Sequence, residues 1–472
     1  MPTPDTLTRM KAVVGPKGFI DTPDDMAAYL VERRDLYQGR AAAVLRPAST
    51  AEVSALMKIA YETNTKVVPQ GGNTGLVGGQ IPFEAGDVIL SLTRMNHVGA
   101  VDALNNTLTV EAGVTLAAAQ EAAAKADRLF PLSLASEGTC QIGGNLSTNA
   151  GGTAVLRYGN ARELVLGLEV VLANGDIWDG RKGLRKDNMG YDMKQLFIGS
   201  EGTLGIITGA VLKLFPRPRA VETAFVAVPS VEASVDLLRR ADRMSGGLVT
   251  TFELMPRIGI EFLLKHREGA SDPLGAPSPW YVLVEMSAGE GSLRATMEAT
   301  LAAAMEAGEA SDATIAVSDM QRAKLWALRE DMSDVQRREG GSIKHDVSVP
   351  VSRVADFIAT ASAAVEAAMP GVRPVPFGHV GDGNIHFNLS QPVGADKEKF
   401  IARWDQMNAI VHEIVRSLGG SISAEHGVGL MKRDEIAATK SPVEIELMQA
   451  VKRALDPRGI LNPGKVVNIP QS

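Results

Sequence analysis

Cysteine is almost absent from this chain: Cys140 is the only one in 472 residues. That excludes an intrachain disulfide and any zinc or iron–sulfur site built from several thiolates, and it suits a reducing compartment. Long apolar runs are missing as well, since no stretch approaches the roughly eighteen residues a membrane span needs. Residues 1–18 carry basic side chains with no apolar run behind them and lack the Arg/Ser pattern of a transit peptide, so the expectation is a cytoplasmic chain without a membrane span. No basic stripe stands out, and 48 Lys and Arg against 55 Asp and Glu leave a net charge of −7, so nucleic acid is not expected as a partner. With thiols gone, the seven histidines become the main candidates for metal or acid–base chemistry.

What is present is a large core. Apolar residues make up 45% and charged residues 22%, ordinary values for a folded globular chain. At about 150 residues per domain the length predicts about three units. Ser49 and Glu52 form a capping box ahead of Val53, Leu56, Met57 and Ala60 at helical spacing, which predicts a helix over 50–63 and a strand over 66–69. Thr115 caps an Ala-rich helix reaching about 127, and Asn174-Gly175 suits a tight hairpin turn. Two prolines in Phe215-Pro216-Arg217-Pro218 interrupt both helix and central strand and mark the first domain boundary. Beyond it strands (224–228, 281–286) and helices (231–244, 293–307, 319–338, 400–418) alternate without the regularity of a doubly wound sheet. The fold class is α+β, with units expected at 1–215, 216–420 and 421–472.

Five glycines follow the 66–69 strand in Pro69-Gln70-Gly71-Gly72-Asn73-Thr74-Gly75-Leu76-Val77-Gly78-Gly79. Glycine lets backbone N–H groups approach an anion without a β-carbon in the way. The run matches neither the G-x-G-x-x-G fingerprint nor the P-loop, which removes the usual support for a nicotinamide fold or an NTPase. Further clusters, Ser136-Glu137-Gly138-Thr139-Cys140-Gln141-Ile142-Gly143-Gly144-Asn145, Thr148-Asn149-Ala150-Gly151-Gly152 and Ile198-Gly199-Ser200-Glu201-Gly202-Thr203-Leu204-Gly205, suggest a dinucleotide threaded along many backbone amides.

In the runs 70–79, 142–152 and 197–208 the chain resembles the FAD-binding domain of the vanillyl-alcohol oxidase / para-cresol methylhydroxylase superfamily. The resemblance implies that Gly71, Gly72, Asn73, Thr74, Gly75, Gly78 and Gly79 wrap the FAD pyrophosphate, with Pro69 and Gln70 also in the cofactor site. It places Ser136, Gly138, Thr139, Gly143 and Gly144, together with Glu201, Gly202, Gly205 and Ile206, along the flavin ring and ribityl chain, with Asn145, Thr148, Asn149, Gly151 and Gly152 in the same cofactor site. The first loop holds no His or Cys and His97 lies outside it, so the flavin is expected to be non-covalent. Cys140 reads as a packed small side chain.

Phe377-Gly378-His379-Val380-Gly381-Asp382-Gly383-Asn384-Ile385-His386-Phe387-Asn388 pairs two histidines across a Gly-Asp-Gly turn, and Ser423-Ala424-Glu425-His426-Gly427 adds a carboxylate and a third histidine. On a strand, His386 and Asn388 point to one face. Two imidazoles and a carboxylate make a ligand set that leaves open positions, typical of zinc and also of iron(II). In these segments and in Leu455-Asp456-Pro457-Arg458-Gly459-Ile460-Leu461-Asn462-Pro463-Gly464-Lys465, the chain resembles the FAD-dependent D-2-hydroxyacid dehydrogenases, within them the D-2-hydroxyglutarate dehydrogenase branch. That implies zinc held by His379, His386 and Glu425, with His426 as catalytic base and Asn388 on the substrate. Adjacent residues of an extended chain point to opposite sides, which would give Glu425 and His426 their different roles. Metal ligation would lower the pKa of the substrate hydroxyl, and His426 would accept its proton as hydride leaves the α-carbon for the flavin.

Trp326-Ala327-Leu328-Arg329-Glu330-Asp331-Met332-Ser333 reads as helix, with Arg329 and Ser333 at i and i+4 and Lys344 on a following strand. The family uses a matching Arg, hydroxyl and Lys for substrate carboxylates. Ser333 stands where its hydroxyglutarate enzymes have threonine, a loss of one methyl that bears on substrate size. The expected reaction is oxidation of a D-2-hydroxyacid, D-2-hydroxyglutarate or D-malate foremost, to the 2-oxoacid. The alternatives are D-lactate or glycolate oxidation and a non-redox transferase like alkylglycerone-phosphate synthase. The resemblance also implies electron-transfer flavoprotein as acceptor, and a homodimer is admitted. His97, His266, His345 and His412 carry no assigned role.

Overall fold

The computed structural model describes residues 1–469, and the chain forms two compact units rather than three. The first comprises Met1–Gly152, Gly159–Arg217 and Glu425–Ser472, the second Thr153–Tyr158 and Pro218–Ala424. The C-terminal stretch, expected as a separate segment, therefore belongs with the first unit. The boundary falls after Arg217 because Phe215–Pro216 still pairs antiparallel with Arg128–Leu129 of that unit.

Two larger sheets and the two-stranded pairing of Phe215–Pro216 with Arg128–Leu129 build the first unit. Ala43–Leu45, Val88–Ser91 and Val67–Gln70 run parallel, with Phe19–Ile20 antiparallel at one edge. All three parallel strands are short apolar runs, as strands covered on both faces should be. The helix Thr50–Thr63 forms as its capping box predicts: the Ser49 hydroxyl accepts from Glu52 N, and Asn64 ends it in the left-handed region. The second sheet is antiparallel, ordered Val98–Asp102, Thr107–Glu111, Ile206–Lys213, Val165–Val171, Ile177–Asp179, and its last hairpin turns at Asn174-Gly175.

The second unit is one antiparallel sheet whose two faces can be read from alternation. Its order is Asp312–Ile315, Ala220–Val228, Trp280–Ala288, Val249–Pro256, Arg373–His379, Asn384–Ser390, Ser342–Ile343, with Asp346–Ser348 also pairing to Asn384–Ser390. Ala224, Val226, Val228, Val282, Val284, Leu254, Ile385 and Phe387 enter one apolar core, beneath helices that include Val231–Ser245 and Val354–Ala368. Phe225, Ala227, Tyr281, Leu283, Met255, Val375 and Phe377 point the other way, into a core closed by Arg257–His266 and Asp319–Glu330. Successive side chains on a strand alternate faces, so Glu253, His379, His386 and Asn388 belong to this second face.

Among the described residues no helix is long and apolar enough to cross a membrane.

Candidate functional site

The candidate residues divide between the two units. In the first, the strand Val67–Gln70 delivers the chain into residues 71–79, and the C-terminal stretch pins that strand's free edge: Val67 N donates to Ile460 O at 2.8 Å and Asn462 N to Val67 O at 2.8 Å. Asn462 Nδ2 then donates to Gly79 O (2.9 Å) and Glu201 O (2.7 Å), tying two of the glycine segments together. A β-carbon on Gly72 would run into the Thr139 carbonyl and sit 3.2 Å from Cys140 Cα, so only glycine permits this close approach of the first two loops. A β-carbon on Gly138 or Gly144 meets nothing within 4 Å, which leaves their backbone facing open space.

Side-chain amides in this region are used unevenly. Asn73 Nδ2 is committed to the carbonyls of Ala28 and Val31, and Gln70 Nε2 to those of Tyr29 and Gln80, so both brace the loop. Gln70 Oε1 and Gln141 Oε1, by contrast, are buried acceptors with no hydrogen-bond partner in the protein. Buried acceptors are ordinarily satisfied, and ring N–H groups are the donors that a flavin brings. Open glycine backbone beside unsatisfied acceptors fits FAD. Cys140 is 2% exposed, and Asn145 Nδ2 points to its sulfur at 3.5 Å.

Glu201 has a different task from its neighbours. Its carboxylate accepts from Val428 N at 2.6 Å and Gly429 N at 2.8 Å, and so anchors the loop that carries His426. Burial pushes this carboxyl up, opposed by those two hydrogen bonds and by Lys432 and Lys465. Glu425 Oε1 accepts from Gly152 N at 2.7 Å, tying the end of the third glycine segment to the same loop. Residues 424–426 form bends and no strand, so the extended-chain alternation expected to separate Glu425 from His426 is absent, and a carboxylate oxygen of Glu425 lies within 4.8 Å of a ring nitrogen of His426.

In the second unit the sheet register assembles the histidines. His386 lies opposite Phe377, Asn388 opposite Val375, and Glu253 opposite His379 on the strand beyond. The two imidazoles sit edge to face with centroids 5.6 Å apart, and His386 Nδ1 is 3.8 Å from Asp346 Oδ1. His379 Nδ1 donates to Glu253 Oε1 at 2.5 Å, which makes Nε2 the nitrogen a metal would take. The second Glu253 oxygen accepts from Arg329 Nε at 2.6 Å. Burial raises the Glu253 carboxyl, yet its contacts with His379 and Arg329 outweigh it and hold it at about 2.

Arg329 ends the helix Asp319–Glu330, and the chain turns at Asp331 before a separate short helix, Met332–Val335. The single helix expected over 319–338 is therefore broken, and Arg329 and Ser333 do not share one helical face. Lys344 lies just past the strand Ser342–Ile343, with Nζ 3.4 Å from the Ser333 carbonyl. The turn and this contact replace helical spacing as what places these residues. Asn388 Nδ2 donates to Gln336 Oε1 at 2.8 Å. Glu253, Asp346 and Gln336 escaped the sequence reading. Glu253 did leave a signal, as the one charged residue of the fully buried strand Val249–Pro256.

Comparison with known proteins agrees with this layout. A family described as "FAD binding domain" matches residues 41–181, and "FAD linked oxidases, C-terminal domain" matches residues 217–466, over half of the chain. A rice protein (Oryza sativa subsp. indica) named probable D-2-hydroxyglutarate dehydrogenase, mitochondrial, is 39% identical over 470 residues, 99% of this chain and 82% of that one. This chain belongs to the D-2-hydroxyglutarate dehydrogenase family of FAD-linked oxidases. Another member of the family, D-2-hydroxyglutarate dehydrogenase of Xanthomonas citri pv. viticola, is 39% identical over 424 residues, 90% of this chain and 89% of that one. The fold of p-cresol methylhydroxylase, at 18% identity and a TM-score of 0.76, covers 98% of this family member and 96% of that structure. The expected α+β fold of the para-cresol methylhydroxylase type is thus the one observed.

Proposed function

We propose that this FAD-dependent dehydrogenase oxidises a D-2-hydroxyacid bearing a second carboxylate, D-2-hydroxyglutarate or D-malate, to the 2-oxoacid. Arg329 carries the reading. Its side chain is 10% exposed, one edge is fixed by Glu253, and its terminal nitrogens have no partner among the described residues. A buried guanidinium with both terminal nitrogens unspent is a carboxylate receptor. Ser333 and Lys344 supply a hydroxyl and a second cation, and Asn388 a further polar contact.

FAD, when bound, supplies the acceptor for the hydride that leaves the substrate α-carbon. A divalent metal, zinc in this proposal, supplies Lewis acidity toward the substrate hydroxyl, and His379, His386 and Glu425 are the residues that would hold it. His426 takes the hydroxyl proton, and an imidazole with its ordinary pKa near neutrality is suited to that transfer. The donor set fits such a metal: two neutral imidazoles, one oriented by a carboxylate, and one carboxylate.

Turnover of a panel of D- and L-2-hydroxyacids with an artificial electron acceptor tests the proposal. Dicarboxylates of D configuration are expected to lead, and a preference for L enantiomers would sink it. Electron-transfer flavoprotein as natural acceptor, a homodimeric assembly and a cytoplasmic location belong to the same proposal. They are checked by reduction of the purified acceptor, sedimentation and cell fractionation.

A further inference from the structure

We propose that Glu253 is a positioning residue that couples metal binding to substrate binding, holding the His379 imidazole with one carboxylate oxygen and the Arg329 guanidinium with the other. The inference rests on the metal and substrate roles just proposed and adds a residue that joins them. Glu253 is 0% exposed and stands on Val249–Pro256, directly across from His379 on Arg373–His379. Its Oε1 accepts from His379 Nδ1 and its Oε2 from Arg329 Nε, so one rigid group sets the direction of both side chains. The Arg329 guanidinium is held from a second side by the Phe377 ring, 4.8 Å from its centroid.

Two consequences follow from the donor and acceptor inventory. An ionised carboxylate only accepts, so the proton of His379 is fixed on Nδ1 and the lone pair on Nε2. With Nε of Arg329 occupied by Glu253, the edge formed by its two terminal nitrogens remains as the fork for an incoming carboxylate. A change at Glu253 must therefore reach both ligands, although Glu253 touches neither.

Glu253→Gln is the informative variant. An amide carries no charge and only one acceptor oxygen, so the partner facing that oxygen loses its charge-assisted bond and the partner facing the amide nitrogen is repelled; neither His379 nor Arg329 is held as before. The experiment uses purified flavoprotein, with visible flavin absorbance and circular dichroism as checks of folding. Zinc affinity is measured by competition with a chromophoric chelator, and carboxylate affinity by inhibition with glutarate, which lacks the reacting hydroxyl. Zinc affinity is expected to fall 10–100-fold, about the effect of removing such an outer partner, and glutarate inhibition to weaken at least about tenfold, the loss of one charge-assisted hydrogen bond. Arg329→Lys serves as control: it should weaken glutarate and leave zinc affinity unchanged.

Wild-type affinity for both ligands in Glu253→Gln, or loss of only one of them, overturns the coupling. Should the variant fail to fold, nitrogen-15 histidine spectra of the wild-type protein decide, with His379 assigned through His379→Gln. The proton must reside on Nδ1, and an Nε2–H tautomer overturns the proposal. A wild-type enzyme that binds no zinc and oxidises no D-2-hydroxyacid would overturn the functional reading itself. Normal wild-type binding with an unaffected variant overturns the role of Glu253 alone.

Discussion

The carboxylate of Glu201 accepts the backbone N–H of Val428 at 2.6 Å, 227 positions later in the chain. With Gly429 taking the other oxygen, one side chain fixes the loop that presents His426. Glu201→Ala leaves two N–H groups without their acceptor, at about 1–3 kcal/mol each. Hydrogen exchange should show Val428 and Gly429 losing protection, and chemical denaturation a drop of about 2 kcal/mol or more. Unchanged exchange at both amides would remove this role from Glu201.

His426→Ala should retain the flavin and lose turnover by about 10²–10⁴-fold, the range for a general base. Flavin absorbance of the purified variant and single-turnover reduction by D-2-hydroxyglutarate check the two halves. Reduction at the wild-type rate would exclude His426 as the base.

Arg329→Lys keeps the positive charge and gives up the planar fork. The expected result is a KM for the dicarboxylate raised about tenfold or more, with flavin content intact, since a hydrogen bond to a charged group contributes about 1.5–3 kcal/mol. An unaltered KM would return Arg329 to a purely structural role beside Glu253.

Dialysis against a strong chelator should lower turnover without releasing flavin, and zinc should restore it. Elemental analysis before and after treatment gives the stoichiometry. Full activity in a metal-free preparation would dismiss the ligand set His379, His386 and Glu425.

Lys465 gives the first unit a pH dependence of its own. Burial lowers its ammonium from 10.5 to about 8, against the opposing pull of Asp87. Between about pH 8 and 10.5 the unfolded chain holds a proton that the folded chain has released, so stability rises with pH across that window and is lost again as pH falls through 8. The effect is at most about 3 kcal/mol. Lys465→Met should flatten the dependence in denaturation curves recorded at pH 7.5 and 9.5; an equal slope in both proteins would discount it.

Much of this architecture is legible from residue order alone. The capping box at Ser49 and Glu52, the Asn174-Gly175 turn and the His386/Asn388 alternation each fix local geometry through neighbours within four residues, and each stands as read. The helix over 319–338 fails at Asp331, where the apolar residues Leu328, Met332 and Val335 pack into the core and the turn between them is decided by that packing. Glu253 is hidden for a related reason: its partners His379 and Arg329 lie 126 and 76 positions away, and no spacing rule spans such distances.

Residue order settled the glycine segments, the residue types of the proposed metal ligands and the α+β class, because those depend on backbone freedom, donor chemistry and short-range periodicity. Tertiary structure alone decided that Glu253 joins His379 to Arg329, that Glu201 holds the His426 loop, and that the C-terminal stretch belongs to the first unit. These are contacts between distant segments, formed only when strand register and core packing bring buried charges to partners that satisfy them.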